Sequence, residues 1–333
     1  MRAIIPVAGI GTRLRPHTHT APKVLLHVAG KPILGHILDD LKDYGITELA
    51  LIVGYRGDQV REYVSSNYSF KTSYIVQEEM LGLGHAIWMA RNEGWGAEPG
   101  LIILGDTIFS ADLKTVMARG RSALGVKWVE DARRFGVVQH TPEGRITKLV
   151  EKAEVPPSNL ALCGIYFIND MPLLFDRLQH LMDNNLRTRG EFQLTDGLQG
   201  MIEKGHDMTF FEIDGWYDCG KRETMLSTNK ALLDMKSSLL ARPDSPNIVN
   251  CVLRQPVVID PTARVENSII GPYASISSGC VVRHSIISES IMSTNATVED
   301  IVLHDSIISD NASVRGLSQM LNVGDASEIN FSE

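Results

Sequence analysis

The chain opens with residues 1–26, MRAIIPVAGIGTRLRPHTHTAPKVLL. Its first apolar run, from Ala3 to Val7, has the length of a buried β-strand and is too short to cross a membrane. The run is followed at once by a turn that contains Gly9 and Gly11. Glycines directly after a strand let backbone N–H groups approach an anion closely, so this stretch predicts a phosphate-type ligand at the strand end.

This opening stretch is basic, although the protein as a whole is acidic. It carries Arg13, Arg15 and Lys23 and has no Asp or Glu before Asp39, whereas the formal net charge of the chain is −8. Lys23 therefore has no acidic neighbour in the sequence with which to pair. Positive charge on a glycine turn predicts an anionic small ligand such as a polyphosphate. On these residues alone, a glycine turn with a solvated basic rim remains an alternative.

Two common phosphate-binding motifs do not fit the opening stretch. The dinucleotide fingerprint G-x-G-x-x-G needs a third glycine, and Leu14 stands in that place. The P-loop motif G-x-x-x-x-G-K-[ST] does not occur. What remains is G-x-G-T-R-L-x-P at residues 9–16, followed by P-K-x-L-L at residues 22–26.

The bulk composition is that of an ordinary globular protein, with 44% hydrophobic and 22% charged residues. A length of 333 residues predicts two domains. The acidic balance argues against a nucleic-acid partner, and we expect neither a signal peptide nor a membrane-spanning helix. Four cysteines lie far apart without a C-x-x-C motif, which favours reduced thiols in a cytoplasmic protein: Cys163, Cys219, Cys251 and Cys280.

Strands and helices alternate along the first part of the chain. A helix is predicted from Lys31-Pro32 to Gly45, a strand over 48–53, a helix over 57–64 and a strand over 73–76. This order predicts an α/β domain, Rossmann-like, with a mixed and mostly parallel sheet. Ligands of such sheets bind outside the carboxyl ends of the strands.

Asp106 is the first acidic residue that the pattern places at such a strand end. It follows the apolar run 101–104 and lies too far before the helix predicted from Ala111 to cap it. A carboxylate at the tip of a buried strand is costly unless it meets a cation or hydrogen-bond donors.

From Asn247 the composition shifts to short apolar segments separated by Ser, Gly and Asn. The triplet Ser-Ile-Ile recurs at Ser268, Ser285 and Ser306, which resembles the hexapeptide repeat of left-handed parallel β-helices. A small β-sandwich is the alternative. We predict a catalytic domain over 1–240, a linker over 241–250, a β-helix over 251–316 and a polar tail over 317–333.

Taken together, the spaced motifs resemble those of the sugar-phosphate nucleotidyltransferases, with glucose-1-phosphate thymidylyltransferases and uridylyltransferases as the most similar types. Besides the opening loop, the resemblance rests on Gln77 with Gly82-Leu83-Gly84-His85-Ala86, Gly105-Asp106, Glu151-Lys152, Arg189 to Asp196, and the W-x-D-x-G pattern from Trp216 to Gly220.

The resemblance implies a nucleotide site and a metal site. Arg13 would hold the triphosphate, Lys23 would lie near the α-phosphate, and Asp106 and Asp218 would bind Mg²⁺. Gln77 offers a donor and an acceptor to the base. His85 is interpreted as a residue of a helix face and not as a catalytic one. The nucleotide-binding residues implied are Ala8, Gly9, Gly11, Thr12, Arg13, Gln77 and Gly82.

The resemblance also implies the reaction, in which an NTP and a sugar 1-phosphate give an NDP-sugar and pyrophosphate. UTP or dTTP and glucose 1-phosphate are the favoured substrates, and Gly9-Ile10 and Lys221 depart from common family patterns, so the base stays open. The residues implied for the sugar phosphate are Gly136, Glu151, Lys152, Tyr166 and Arg189.

Two other classes of function stay open. The first is a non-catalytic nucleotide-sensing or scaffold homologue, which would be expected to lose Arg13, Lys23 or one of the two aspartates. The second is an acyltransferase carried by the repeats, where His284 and His304 are the only histidines. We expect the repeats to support a homo-oligomer.

Overall fold

The computed structural model describes residues 1–95, 98–235 and 246–316, which form two compact units, Met1–Thr228 and Asn229–Glu333. Within these described ranges, no helix has both the length and the apolar composition needed to cross a membrane. The predicted polar tail and the first half of the predicted linker lie outside the described residues.

A nine-stranded mixed sheet forms the centre of the first unit, with the strands β10-β9-β11-β6-β1-β4-β5 in order, β8 paired with β11, and β12 paired with β8. The bounds of the strands in this unit, including two short two-stranded sheets, are β1 Arg2–Pro6, β2 His27–Val28, β3 Lys31–Pro32, β4 Glu48–Val53, β5 Lys71–Val76, β6 Gly100–Ile103, β7 Thr107–Ser110, β8 Ser122–Trp128, β9 Gly136–His140, β10 Ile146–Glu151, β11 Leu160–Ile168, β12 Met208–Glu212 and β13 Gly215–Asp218.

The helices of the chain alternate with these strands as predicted, with small shifts in their bounds. They are α1 Ile33–Asp43, α2 Gly57–Asn67, α3 Leu83–Met89, α4 Leu113–Ala118, α5 Met171–Asp183, α6 Leu194–Glu203 and α7 Arg222–Met235. The prediction that α1 begins at Lys31-Pro32 was wrong. Both residues form β3, which pairs with β2, and Pro32 is the N-cap of the helix.

The parallel part of the sheet places the opening loop. Strand β1 lies between β4 and β6 and pairs with both in parallel. Its residues Ala3, Ile4 and Ile5 are 0%, 1% and 0% exposed, as expected for a strand covered on both faces. The carboxyl ends of β1 and β6 therefore lie side by side, and the glycine turn and Asp106 leave the sheet at the same edge.

The repeat region forms three parallel sheets, which is the arrangement of a left-handed parallel β-helix, and the alternative of a β-sandwich was wrong. Val265 pairs with Val282, 17 residues on, and Val282 pairs with Val298, 16 residues on, so each coil adds one strand to each sheet. The strands are β14 Ile248–Val249, β15 Val252–Leu253, β16 Val257–Ile259, β17 Arg264–Glu266, β18 Ile269–Ile270, β19 Ala274–Ile276, β20 Val281–Arg283, β21 Ile286–Ser288, β22 Ile291–Met292, β23 Thr297–Glu299, β24 Val302–His304, β25 Ile307–Ile308 and β26 Ser313–Arg315.

The recurring serine of Ser-Ile-Ile has a structural reason. Ser285 is 2% exposed, and its Oγ donates to the carbonyl of Arg283 at 2.7 Å and accepts the N–H of Ile301 at 3.3 Å. The Oγ of Ser268 accepts the N–H of Ser285 at 3.1 Å in the same way. A buried hydroxyl thus connects each coil to the next, where an apolar side chain would leave backbone groups without partners.

The corners of the coils carry residues in the left-handed region, which favours Asn, Asp and Gly. Asn267, His284 and Asp300 have φ values of 51°, 46° and 57° at equivalent corners. His284 contacts both of its neighbours in this column, Asn267 at 3.2 Å and Asp300 at 3.4 Å. His304 likewise contacts Ser288 at 3.0 Å. Both histidines of the repeats therefore have partners that belong to the coil stacking.

Candidate active site

The glycine turn is held closely against the next part of the basic stretch. Gly11 has a φ of 70°, and a Cβ there would lie 3.0 Å from the Cβ of Lys23. Thr18 donates from its Oγ1 to the carbonyl of Gly11 at 2.9 Å, and Leu14, 1% exposed, anchors the loop in the core. Glycine is thus required at position 11 both by the backbone angle and by the closeness of Lys23.

Lys23 pairs with Asp106, a contact that the sequence did not indicate. Its Nζ lies 2.6 Å from Oδ2 of Asp106, and the lysine is only 7% exposed. The residue before Asp106 is Gly105, where a Cβ would lie 2.5 Å from Cγ1 of Val7, so the segment that carries Asp106 packs closely against the residue that follows β1. The lysine that was predicted to lie near the α-phosphate is therefore in direct contact with a carboxylate that was predicted to bind metal.

Asp218 reaches the same place from the other end of the domain. Strand β13 pairs with β7 in antiparallel fashion, with Asp218 opposite Thr107, and the N–H of Cys219 donates to the carbonyl of Asp106 at 3.2 Å. A Cβ at Gly220 would lie 2.9 Å from Oδ1 of Asp218 and 3.4 Å from Nη2 of Arg13. The structure thus brings the backbone segments that carry Asp106 and Asp218 into contact across more than a hundred residues of sequence.

The pKa of the Cys219 thiol reflects this setting. Burial, together with the charges of Asp218 and Asp106, raises this pKa to about 12, although the hydrogen bond with Thr228 and the charge of Lys23 oppose the rise. The thiol is therefore protonated and unreactive at neutral pH. Any chemistry at this place therefore depends on the neighbouring cations and carboxylates and not on this thiol.

A cavity of about 410 Å³ opens in front of Arg13, Lys23 and Asp106, whereas Asp218 is not among its lining residues. Nine of the residues predicted from the sequence line it: Ala8, Gly9, Gly11, Thr12, Arg13, Lys23, Gln77, Gly82 and Asp106. Glu191 also lines it, although no role in binding was predicted for this residue of the segment from Arg189 to Asp196.

The wall around Gln77 is built by two segments in contact. The N–H of Gly84 donates to the carbonyl of Phe192 at 2.8 Å, and the N–H of Phe192 donates to that of Leu81 at 2.9 Å. Gly82 has a φ of 114°, and a Cβ there would lie 2.6 Å from the Phe192 carbonyl oxygen. The protein itself therefore requires glycine at position 82, through packing that no local pattern reveals.

The residues predicted for the sugar phosphate form a second group. Glu151 accepts from Oγ1 of Thr195 at 2.6 Å and lies 3.3 Å from Nζ of Lys152. A Cβ at Gly136 would lie 2.8 Å from Oε2 of Glu151, so the glycine leaves room for this carboxylate. Tyr166 is 4% exposed, and burial, followed by the charge of Glu151, raises its pKa. The Tyr166 hydroxyl is therefore neutral.

Arg189 joins this second group through the backbone. Its Nη2 donates to the carbonyl of Lys152 at 2.6 Å, and both residues have positive φ. Arg189 also lines a separate cavity of about 420 Å³ together with Arg133 and Arg134. The structure thus brings Gly136, Glu151, Lys152 and Arg189 close to one another, and none of them lines the first cavity.

Three comparisons with known proteins found relatives of this chain. A family model described as "Nucleotidyl transferase" matches residues 2–235. A glucose-1-phosphate thymidylyltransferase of Streptomyces griseus is 31% identical over 323 residues, or 90% of this chain and 89% of that protein. A UTP–glucose-1-phosphate uridylyltransferase of Haloferax volcanii is 35% identical over 225 residues, or 65% and 89%. A crystal structure of UDP-glucose pyrophosphorylase complexed with UDP-glucose matches with a TM-score of 0.62 and 26% identity, covering 70% of this chain and 98% of its own.

Proposed function

Since the chain belongs to the nucleotidyl transferase family, we propose that it joins an NTP to a sugar 1-phosphate and releases pyrophosphate. Its relatives place it with the sugar-1-phosphate nucleotidyltransferases. Glucose 1-phosphate, with dTTP or UTP, is the substrate pair that we favour, because the two curated relatives carry these substrates in their names.

The observation that carries the proposal is the cationic end of the first cavity. Arg13, Lys23 and Asp106 line it beside a glycine turn, at the edge of the sheet where phosphates bind in α/β proteins. A lysine that is 7% exposed in a cavity wall is costly to bury unless charge compensates it, and Asp106 does so. This end of the cavity suits a polyphosphate.

The chemistry needs little acid–base help from the protein. The second pKa of a phosphate monoester is near ~6, so a sugar 1-phosphate is mostly a dianion at neutral pH and is already a nucleophile. Its oxygen attacks the α-phosphorus in line with the leaving pyrophosphate. The protein must hold the two anions together and stabilise the charge that develops. We assign the triphosphate to Arg13, the α-phosphate to Lys23, and the sugar phosphate to Lys152 and Arg189.

Asp106 and Asp218 are the residues that we propose to hold Mg²⁺. Both offer carboxylate oxygens, the ligand type that Mg²⁺ prefers. Oδ2 of Asp106 lies 2.6 Å from Nζ of Lys23, so this carboxylate faces positive charge, which supports the assignment. When bound, the ion would supply positive charge to the phosphates.

The test is pyrophosphate release measured over a matrix of NTPs and sugar 1-phosphates, with and without EDTA. We expect turnover with UTP or dTTP and glucose 1-phosphate, its loss in EDTA, and its recovery when Mg²⁺ is added in excess. Asp218→Asn should lower kcat by about 10²-fold or more. Asp176→Asn is the matched control, since Asp176 pairs locally with Arg177 and lines neither of the two cavities. Binding of NTP without turnover by any pair would instead support a non-catalytic homologue.

A further inference from the structure

Gln77 holds its side-chain nitrogen toward the protein. Its Nε2 lies 3.3 Å from the carbonyl oxygen of Gly82 and 3.1 Å from Nδ1 of His85. A carbonyl oxygen only accepts, so the atom facing Gly82 must be the amide nitrogen. Among the described residues, no group donates to Oε1 of Gln77, and Gln77 lines the first cavity. Its free acceptor is therefore available to a ligand there.

His85 keeps its ring in place through contacts on its other side. The imidazole stacks on Trp88 with 5.8 Å between ring centroids and an interplanar angle of 23°. Trp88 in turn donates from Nε1 to Oε1 of Gln179 at 3.0 Å, on helix α5. The ring orientation, and with it the position of Nδ1, is thus fixed by packing against a second helix.

The hydrogen bond requires a neutral imidazole, since only an unprotonated Nδ1 accepts from an amide. Burial lowers the pKa of His85, and Glu79 opposes this effect. The neutral form is therefore favoured at neutral pH, and the second acceptor for Nε2 of Gln77 is present. Without it, the amide would keep only the longer bond to Gly82, and rotation of the carboxamide by 180° would become much less costly.

We infer that His85 is a specificity-determining residue, which holds the Gln77 carboxamide with Oε1 toward the nucleotide and so selects bases with a ring N–H over bases with a ring acceptor. Uracil and thymine carry N3–H and match an acceptor, whereas N3 of cytosine is itself an acceptor and would face Oε1 without a proton between them. The inference rests on the proposed function, because it assumes that an NTP base lies beside Gln77. His85 acts as a positioning residue and needs no contact with the substrate.

Two substitutions separate the hydrogen bond from the packing. His85→Phe keeps an aromatic ring on Trp88 but has no acceptor. His85→Asn loses the ring but offers Oδ1 close to the position of Nδ1. His140→Phe is the matched control, since His140 contacts the ring of Phe210 and does not line the first cavity. If His85→Phe does not fold, His85→Leu replaces it as the variant that lacks the acceptor.

The measurement uses the full-length protein and two readouts for UTP, dTTP and CTP. The first is Kd by isothermal titration calorimetry without sugar phosphate, and the second is kcat/KM for pyrophosphate release with glucose 1-phosphate. We expect the wild type to prefer UTP and dTTP to CTP. His85→Phe should reduce this preference by about tenfold or more, as loss of one well-oriented hydrogen bond implies. His85→Asn and His140→Phe should stay within about threefold of the wild type.

The inference is overturned if the wild type binds CTP as tightly as UTP. It is also overturned if His85→Phe keeps the wild-type ratio of Kd for CTP to Kd for UTP, or if His85→Asn loses as much preference as His85→Phe. Failure of the proposed function looks different. In that case no nucleotide yields pyrophosphate with any sugar 1-phosphate, while the ratios of Kd still respond to His85 as described.

Discussion

At the scale of single residues, Lys23 has two roles. It forms an ion pair with Asp106, which is 83 residues away in the sequence, and we assign it to the α-phosphate. In the absence of substrate the lysine neutralises the carboxylate. During the reaction we assign it to charge that develops at the α-phosphorus. Lys23→Ala should therefore lower kcat by about 10²–10³-fold, while Kd for the NTP changes much less. Pre-steady-state turnover and NTP titration measure the two quantities separately.

Lys31→Ala is the control for this prediction. Lys31 also forms an ion pair with an aspartate, Asp39, but both of these side chains are 41% exposed. Surface pairs of this kind contribute little, so this variant should keep wild-type turnover. Weaker NTP binding with an unchanged kcat in Lys23→Ala would show that the lysine holds only the ground state.

Gly82 gives a second prediction at this scale, about stability. An alanine there must keep a φ of 114° and would bring Cβ within 2.6 Å of the Phe192 carbonyl oxygen. Gly94 has a φ of 76° with no atom within 4 Å of a Cβ. Gly94→Ala should cost about 1 kcal/mol from the backbone angle alone. Gly82→Ala should cost about 2–4 kcal/mol, because overpacking is added to the strain.

Thermal unfolding of the two alanine variants measures this difference. If Gly82→Ala is no less stable than Gly94→Ala, the segment 191–193 must be free to move away, and its contact with residues 81–84 would not define the cavity wall. Binding of UTP by Gly82→Ala is a useful second readout, since displacement of Glu191 would open the cavity.

At the scale of secondary-structure elements, local patterns were sufficient where burial is simple. Strand β4 was predicted with its observed bounds, since the five buried apolar residues that follow Glu48 admit few alternatives. Strand β7 was not predicted, because its four residues acquire strand character only from pairing with β13. Helix α2 was predicted to end at residue 64 and ends three residues later, at Asn67; differences of this kind are common at helix ends.

The sequence predicted which residues line the first cavity better than it predicted how these residues contact one another. Motifs identified Lys23, Asp106, Gln77 and Gly82 as residues of one cavity, and the structure places them there. The ion pair of Lys23 and the packing of Phe192 on Gly82 depend on tertiary approach, for which one sequence carries no signal. The bond between Gln77 and His85 spans only eight residues, yet it depends on side-chain rotamers.

The β-helix allows a prediction for one of its elements. Ser285→Ala removes the hydroxyl that connects β20 and β21 to the next coil. Buried backbone groups then lose a partner, which should cost about 1–3 kcal/mol in local opening free energy. Hydrogen–deuterium exchange over residues 283–303 should become faster by about tenfold or more. Ser313→Ala, at an exposed position of the last described strand, should leave exchange unchanged.

At the scale of the whole molecule, the repeats are expected to serve assembly or stability and not catalysis. Every residue assigned to substrate or metal precedes Lys221. On one sheet of the β-helix, an in-register column of aliphatic residues faces outward, with Val252 55%, Ile286 41% and Val302 68% exposed. A second copy of the chain would cover such a column. The second unit also begins within α7, where Asn229 donates to the Tyr273 carbonyl at 3.0 Å.

Truncation after residue 242 should therefore keep pyrophosphate release but lower the oligomeric state, the thermal stability, or both. Because the truncation also removes the partners of Asn229 in α7, a milder variant is needed to separate assembly from folding. Ile286→Lys in the full-length protein should abolish self-association and leave turnover and the circular dichroism spectrum unchanged, since the side chain is already partly exposed. Size-exclusion chromatography with light scattering, run beside the pyrophosphate assay, measures both. A truncated protein that keeps its assembly and fold but loses turnover would place part of the active site in the repeats.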